Sequence, residues 1–171
     1  MDEATRLALA ARDGDPARMA GLVRLTQPDV WRLCAALVDA PSADDLTQET
    51  YLRAWRALPG FAGASTVRTW LLSIARRACA DHIRGLVRQR RTATRHVSPD
   101  VAADASETVA LDDLLARLPV RRRSAFVLTQ VVGLSYAEAA VVENVPVGTI
   151  RSRVARARDD LVRAWSQAAK V

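Results

Sequence analysis

The chain has 171 residues, half of them hydrophobic but only 5% aromatic, and a formal net charge of +6. That length allows one domain or two small ones, and the dominance of leucine, alanine and valine points to an all-α protein. Cys34 and Cys79 lie far apart with no CxxC or Cys/His cluster, and there is no nucleophile elbow, phosphate loop or paired-acid motif, so neither metal, cofactor nor enzymatic chemistry is expected.

Neither a signal peptide nor an apolar run of membrane length is found, and buried reduced thiols suit a cytoplasmic protein. Charge is distributed in blocks. Residues 1–57 hold seven arginines and nine acids, a net −2; residues 58–97 hold eight arginines and one aspartate, a net +7. Residues 98–145 hold four arginines and seven acids, a net −3; residues 146–171 hold six basic and two acidic residues, a net +4. Two basic blocks set apart by acidic ones suggest two separate contacts with a polyanion.

In chain order, residues 3–12 predict a short helix with Leu7, Ala8 and Ala11 inward. Asp15 caps a second helix with Pro16 at its first position, and Pro28 is expected to kink or break it. Val30, Leu33, Cys34 and Leu37 form its later stripe, with Trp31 a candidate core neighbour. A third helix, 43–58, opens on a capping box of Ser42 and Asp45. Thr47, Tyr51, Ala54 and Leu58 face inward with Trp55 beside them. Asp45, Gln48, Glu49, Leu52 and Arg56 share the other face, acidic at the end where the helix dipole favours acid. Charges alone would be a solvated surface; Leu52 in their midst argues for a partner.

A glycine-rich loop, 59–64, leads to a long helix capped by Ser65 or Thr66 and reaching about Arg88. Val67, Leu71, Ile74 and Ala78 mark its buried stripe; Arg77, Arg84, Arg88 and Arg91 lie in a sector away from it. Trp70 projects near that basic sector. An indole beside arginines suits single-stranded nucleic acid, and a tryptophan merely covering the core is the alternative. Residues 89–108 lose hydrophobic periodicity and pass from basic to acidic, as a linker does. Leu111, Leu114, Leu115 and Leu118 predict a further helix ended by Pro119. The next, 120–132, buries some of Ala125, Leu128, Val131 and Val132 and is closed by Gly133. Arg121, Arg122 and Arg123 at its start read as a solvated cluster within reach of phosphate.

Ser135 and Glu138 then form a capping box for a two-turn helix, 136–142. Glu143–Val145 turns the chain, and Pro146 precedes a helix running to about Trp165. Val147, Ile150, Val154, Ala157 and Leu161 share one side of it, and Thr149, Ser152, Arg153, Arg156 and Asp159 the opposite one. Two helices joined by a tight turn, the second with an arginine-bearing outer face, make a helix-turn-helix. Small residues Gly148 and Ala155 would let a groove edge approach. An ordinary amphipathic hairpin with a solvated basic face is the alternative.

Three segments in this order resemble the bacterial RNA polymerase sigma factors of the extracytoplasmic-function group. DDLTQETYLRAW (44–55) resembles the helix that docks on the clamp of core polymerase. FAGASTVRTWLLSIARRACADHIR (61–84) resembles the segment that melts and reads the −10 element. GLSYAEAAVVENVPVGTIRSRVARAR (133–158) resembles the −35-reading helix-turn-helix. The resemblance implies two small helical domains, 1–90 and 109–171, joined by a flexible linker at 91–108. It implies core RNA polymerase, promoter DNA and an anti-sigma protein as partners, with no small-molecule substrate and no membrane insertion.

By the same resemblance Asp45, Gln48, Glu49 and Leu52 face core polymerase. Phe61, Ser65 and Thr66 belong to a loop that pockets a flipped −10 base, and Trp70 wedges at the upstream edge of the melted region. Arg77, Arg84 and Arg88 line the −10 strand. Arg151, Ser152, Ala155 and Arg156 meet the −35 major groove, and Thr149 and Arg153 hold phosphate. The chain departs from the pattern in places. Leu71 stands where larger sigma factors carry a second aromatic, Arg77 replaces a frequent Asn, and Ala64 a frequent Glu. Glu143-Asn144 replaces the common Leu-Gly at the turn, where Asn tolerates a left-handed backbone. A stand-alone helix-turn-helix regulator, and a helical protein binding an acidic partner, remain the competing readings.

Overall fold

The computed structural model describes residues 1–12, 14–92 and 113–168, which are helical with no strand among them. Helix α1 (Glu3–Ala11) is capped by Asp2, which accepts from the Thr5 amide. Helix α2 (Pro16–Leu37) is capped by Asp15, and it runs through Pro28 without ending. The expected break does not occur, because Leu22, Thr26, Val30 and Leu33 bury one continuous stripe across it while Pro28 itself is exposed. Tertiary burial on both sides of one missing hydrogen bond outweighs its cost.

Helix α3 (Ala40–Ala57) begins three residues earlier than expected. Asp39, not Ser42, is its cap: the Ser42 amide and hydroxyl both donate to the Asp39 carboxylate. With Pro41 in its first turn, the helix needs no amide there. Trp31 is not in the core; it is 39% exposed and its indole donates to Asp44 across α2 and α3. Trp55 is likewise exposed. A 3-10 turn (Leu58–Gly60) leads into the loop before α4 (Val67–Thr92).

Thr66 caps α4, its hydroxyl accepting from the Thr69 amide at 3.2 Å. A second hydroxyl serves the same end from a distance: Thr5 Oγ1 of α1 accepts from the Val67 amide at 3.0 Å. Val67, Leu71, Ile74 and Ala78 are buried as expected, with Leu72, Ala75 and Cys79 beside them. Cys34 of α2 and Cys79 of α4 are both fully buried. Most of the expected linker, and Leu111 of the leucine stripe, lie outside the described residues; Arg91 and Thr92 continue α4.

A helical turn at 113–117 buries Leu115 and the following Leu118 against Ala157. Helix α5 (Val120–Phe126) passes into a π-helical turn (Val127–Val131). That widened turn rotates the stripe, so Ala125, Leu128 and Val132 are buried while Val131 is exposed. Gly133, at φ +82°, ends it. Helices α6 (Tyr136–Glu143) and α7 (Val147–Ala168) complete the fold. One hydrophobic core runs from Ala8 to Val154, so the helices before residue 93 pack directly on those after residue 112.

Candidate nucleic-acid and partner interfaces

The outer face of α3 is built as its spacing dictates. Ala43, Leu46, Thr47, Thr50 and Ala54 fasten the helix inward, leaving Asp45 and Gln48 exposed and Glu49 half-buried. Glu49 accepts from Arg53 Nε at 2.8 Å, and Arg53 also reaches Asp81 of α4. Leu52 is 56% exposed. With Met19, Val23, Tyr51 and Trp55 it lines an open apolar groove between α2 and α3. An uncharged groove beside an acidic helix end suits a protein partner with an apolar ridge and basic flank.

On α4, Trp70 is half-buried against the core and stacks at a tilt on Phe61, ring centroids 4.9 Å apart. Phe61 is only 4% exposed. The loop residue expected to meet a base is therefore the floor under Trp70; Ala62, Ala64 and Thr66 are open to solvent there, and Ser65 and Trp70 are half-buried. Arg77, Arg84 and Arg88 are exposed along the same helix. Arg84 is ion-paired with Asp81 one turn earlier.

The helix-turn-helix forms as its residues predict. Ser135 accepts from the Glu138 amide, and the Glu138 carboxylate accepts from the Ser135 amide in return. Asn144 ends α6 at φ 53°, ψ 52°, the left-handed conformation that turns the chain toward Pro146. Ile150, Val154 and Ala157 of α7 are fully buried, while Arg151, Ser152, Ala155 and Arg156 are exposed and Thr149 is half-buried. Four exposed side chains thus stand on a helix whose other side is locked in the core.

Arg153 lies elsewhere than expected. Its side chain is 16% exposed and donates from Nη1 to Glu143 at 3.0 Å. Glu143, read from sequence as a turn residue, is fully buried. Its carboxylate also accepts from Arg76 Nε and Nη2 of α4 at 3.2 and 3.3 Å, and from Ser124 Oγ of α5 at 2.5 Å. This hub went unread because its members are 10, 19 and 67 positions from Glu143. The signal in the sequence was an acid in the slot where the resembled pattern has leucine. Nearby, Arg68 joins Asp29 of α2 to the Val132 carbonyl. The arginines expected as a solvated cluster are mostly occupied: Arg122 pairs with Asp160, and Arg123 donates to the carbonyls of Ala116 and Leu118.

No helix among the described residues is long and apolar enough to cross a membrane, and no group of three or more His, Cys, Asp or Glu among them is placed to hold a metal ion.

Residues 22–91 match the family model "Sigma-70 region 2", and residues 108–161 match "Sigma-70, region 4". The chain is 50% identical over 169 residues to the ECF RNA polymerase sigma factor SigC of Mycobacterium tuberculosis, covering 94% of this chain and 91% of that protein. Two solved structures share the fold. The sigma factor RpoE of Bartonella quintana, in complex with the anti-sigma factor NepR, matches at TM-score 0.78 and 26% identity over 86% of this chain and 96% of that one. CnrH in complex with the cytosolic domain of CnrY matches at TM-score 0.77 and 28% identity over 96% and 99%.

Proposed function

Because this chain belongs to the sigma-70 family, as an alternative RNA polymerase sigma factor of the extracytoplasmic-function group, we propose a division of labour among its residues. Asp45, Gln48, Glu49 and Leu52 of α3 engage core RNA polymerase, with the apolar groove beside Leu52 receiving the partner's ridge. Ser65, Thr66 and Trp70, with Arg77, Arg84 and Arg88, take the opened −10 strand; Phe61 supports Trp70 from below. Arg151, Ser152, Ala155 and Arg156 read the −35 duplex in the major groove, and Thr149 meets a phosphate at the helix start. Arg153 stands beyond the edge of that sector, next to the core, and does not share its exposure. The units are 1–90 and 109–171, with 91–108 as the tether between them.

The observation that carries this reading is α7. Three core-locked residues, Ile150, Val154 and Ala157, fix a helix whose opposite side leaves Arg151, Ser152 and Arg156 exposed. Such a side chain set can form bidentate and hydroxyl contacts to base edges without rearranging the fold. The mechanism is positioning and strand capture, with no covalent chemistry, in the cytoplasm. The RpoE neighbour was solved with an anti-sigma factor, and this chain is expected to take such a regulator too.

Run-off transcription with purified core enzyme on a genomic promoter library tests the proposal. Defined start sites that depend on the chain are expected. A stand-alone duplex regulator would bind DNA yet fail to associate with core polymerase, and that result would displace this reading.

A further inference from the structure

We propose that Glu143 is a positioning residue that withholds Arg153 from the DNA backbone, leaving α7 to grip its site through fewer phosphate contacts and more base contacts. The proposal rests on α7 being the helix that enters DNA. At about 100° per residue, Arg153 falls between Thr149 and the buried Ala157, on the flank where the exposed and core sides of α7 meet. Its neighbours Arg151 and Arg156 are open to solvent, whereas its guanidinium is drawn back onto a fully buried carboxylate.

That carboxylate has little freedom to let go. Glu143 is the last residue of α6, followed by left-handed Asn144, and the Val145 amide donates to the Ala140 carbonyl to close the turn. Ser124 Oγ holds one of its oxygens from α5. A carboxylate out of water needs its cations, and Arg153 is the one supplied from within the helix-turn-helix; Arg76 comes from the other domain.

The consequence for binding is electrostatic. An arginine that neutralises a phosphate releases about one condensed counterion and steepens the salt dependence of binding by about 0.9. An arginine held on a carboxylate, away from the phosphates, adds nothing to that slope. Non-specific affinity is built mainly from such contacts, so Glu143 lowers binding to arbitrary DNA while base reading by Arg151 and Arg156 is kept.

The test uses the full chain and a fluorescent mixed-sequence duplex of about 30 base pairs, long enough for one bound helix-turn-helix. Anisotropy titrations across a range of KCl concentrations give the slope of log affinity against log salt. The wild type and Arg153→Gln are expected to share one slope. Glu143→Leu should be steeper by about 0.9 and tighter at low salt, and Glu143→Leu with Arg153→Gln should return to the original slope. A loss of stability without a slope change in Glu143→Leu would reduce Glu143 to a structural brace and overturn the proposal. So would a shallower slope for Arg153→Gln alone, since Arg153 would then already be gripping phosphate. Helicity and urea midpoints check folding, and Glu143→Gln, which keeps size and polarity, replaces the leucine variant if that one fails to fold. Arg156→Gln separates the premise: if it keeps the wild type's preference for a duplex carrying a recovered promoter over the mixed-sequence duplex, α7 is not the reading helix, and the sigma assignment of that surface falls first.

Discussion

Phe61 and Trp70 form a tilted aromatic pair with centroids 4.9 Å apart, and the phenylalanine is the buried member. The pair joins the loop after α3 to the first turn of α4, so the tryptophan is held at one height above the core. Such pairs add about 0.5–1.5 kcal/mol beyond burial. Replacing Trp70 by alanine is expected to spare association with core polymerase and impair opening of a linear duplex promoter. A template already unpaired at −10 should restore much of the activity. Equal transcription by wild type and variant from the closed duplex would count against the wedge. Phe61→Ala should instead act through stability, costing about 3–5 kcal/mol as a deleted core aromatic, read as a lowered urea midpoint.

Leu52 separates partner binding from folding. It is 56% exposed on α3, and surface substitutions usually change stability by less than about 0.5 kcal/mol. Leu52→Asp is therefore expected to leave the urea midpoint nearly unchanged and to weaken capture of core polymerase at least tenfold, a free-energy loss of about 1.4 kcal/mol. Unaltered capture in a pull-down titration would remove the α3 face from the polymerase interface.

Arg156→Ala should cost about 1–3 kcal/mol at one base position of the −35 element. Competition with singly substituted promoters reads this directly. A uniform loss on every sequence would make Arg156 a backbone contact rather than a reader.

Tyr51 gives a pH prediction. Burial pushes its phenol up to about 12, against a hydrogen bond with Thr26 that lowers it. The folded chain thus holds the proton where the unfolded chain, near 10, has lost it. Tyr51 contributes stability fully present below pH 10 and lost as pH rises toward about 12. Tyr51→Phe should flatten the alkaline decline of the urea midpoint over that window. Parallel pH profiles for the two proteins would contradict this.

Thr5 ties the chain's start to its longest helix, donating to Asp2 and accepting from the Val67 amide. The hydrogen bonds Thr5 gives also lower the Asp2 carboxyl below its usual range, in spite of the opposing effect of burial. Thr5→Val keeps the shape and leaves the Val67 amide unsatisfied, so a loss of about 1–3 kcal/mol is expected. A urea midpoint within error of wild type would show that α4 does not need this second cap.

Local rules were sufficient wherever the cause was local. The Ser135–Glu138 capping box, left-handed Asn144, the Ile150–Val154–Ala157 stripe and the Val67–Ala78 stripe each depend on residues within a few positions of one another. Local rules failed where two choices were close in energy and distant burial decided. Pro28 stays inside α2 because the same helix face is buried on both sides of it. Asp39 outcompetes Ser42 because starting α3 earlier puts Pro41 in its first turn.

The amino-acid sequence by itself determined the helical class, the order of the three functional segments and the side of α7 that faces outward, because periodicity and capping act over one or two turns. Only the tertiary structure decided which charges on those segments remain free. Phe61 went under Trp70, and Arg153 went to Glu143, because a buried ring needs neighbours and a buried carboxylate needs cations. Those needs are met by residues up to 67 positions away, beyond the reach of any local pattern.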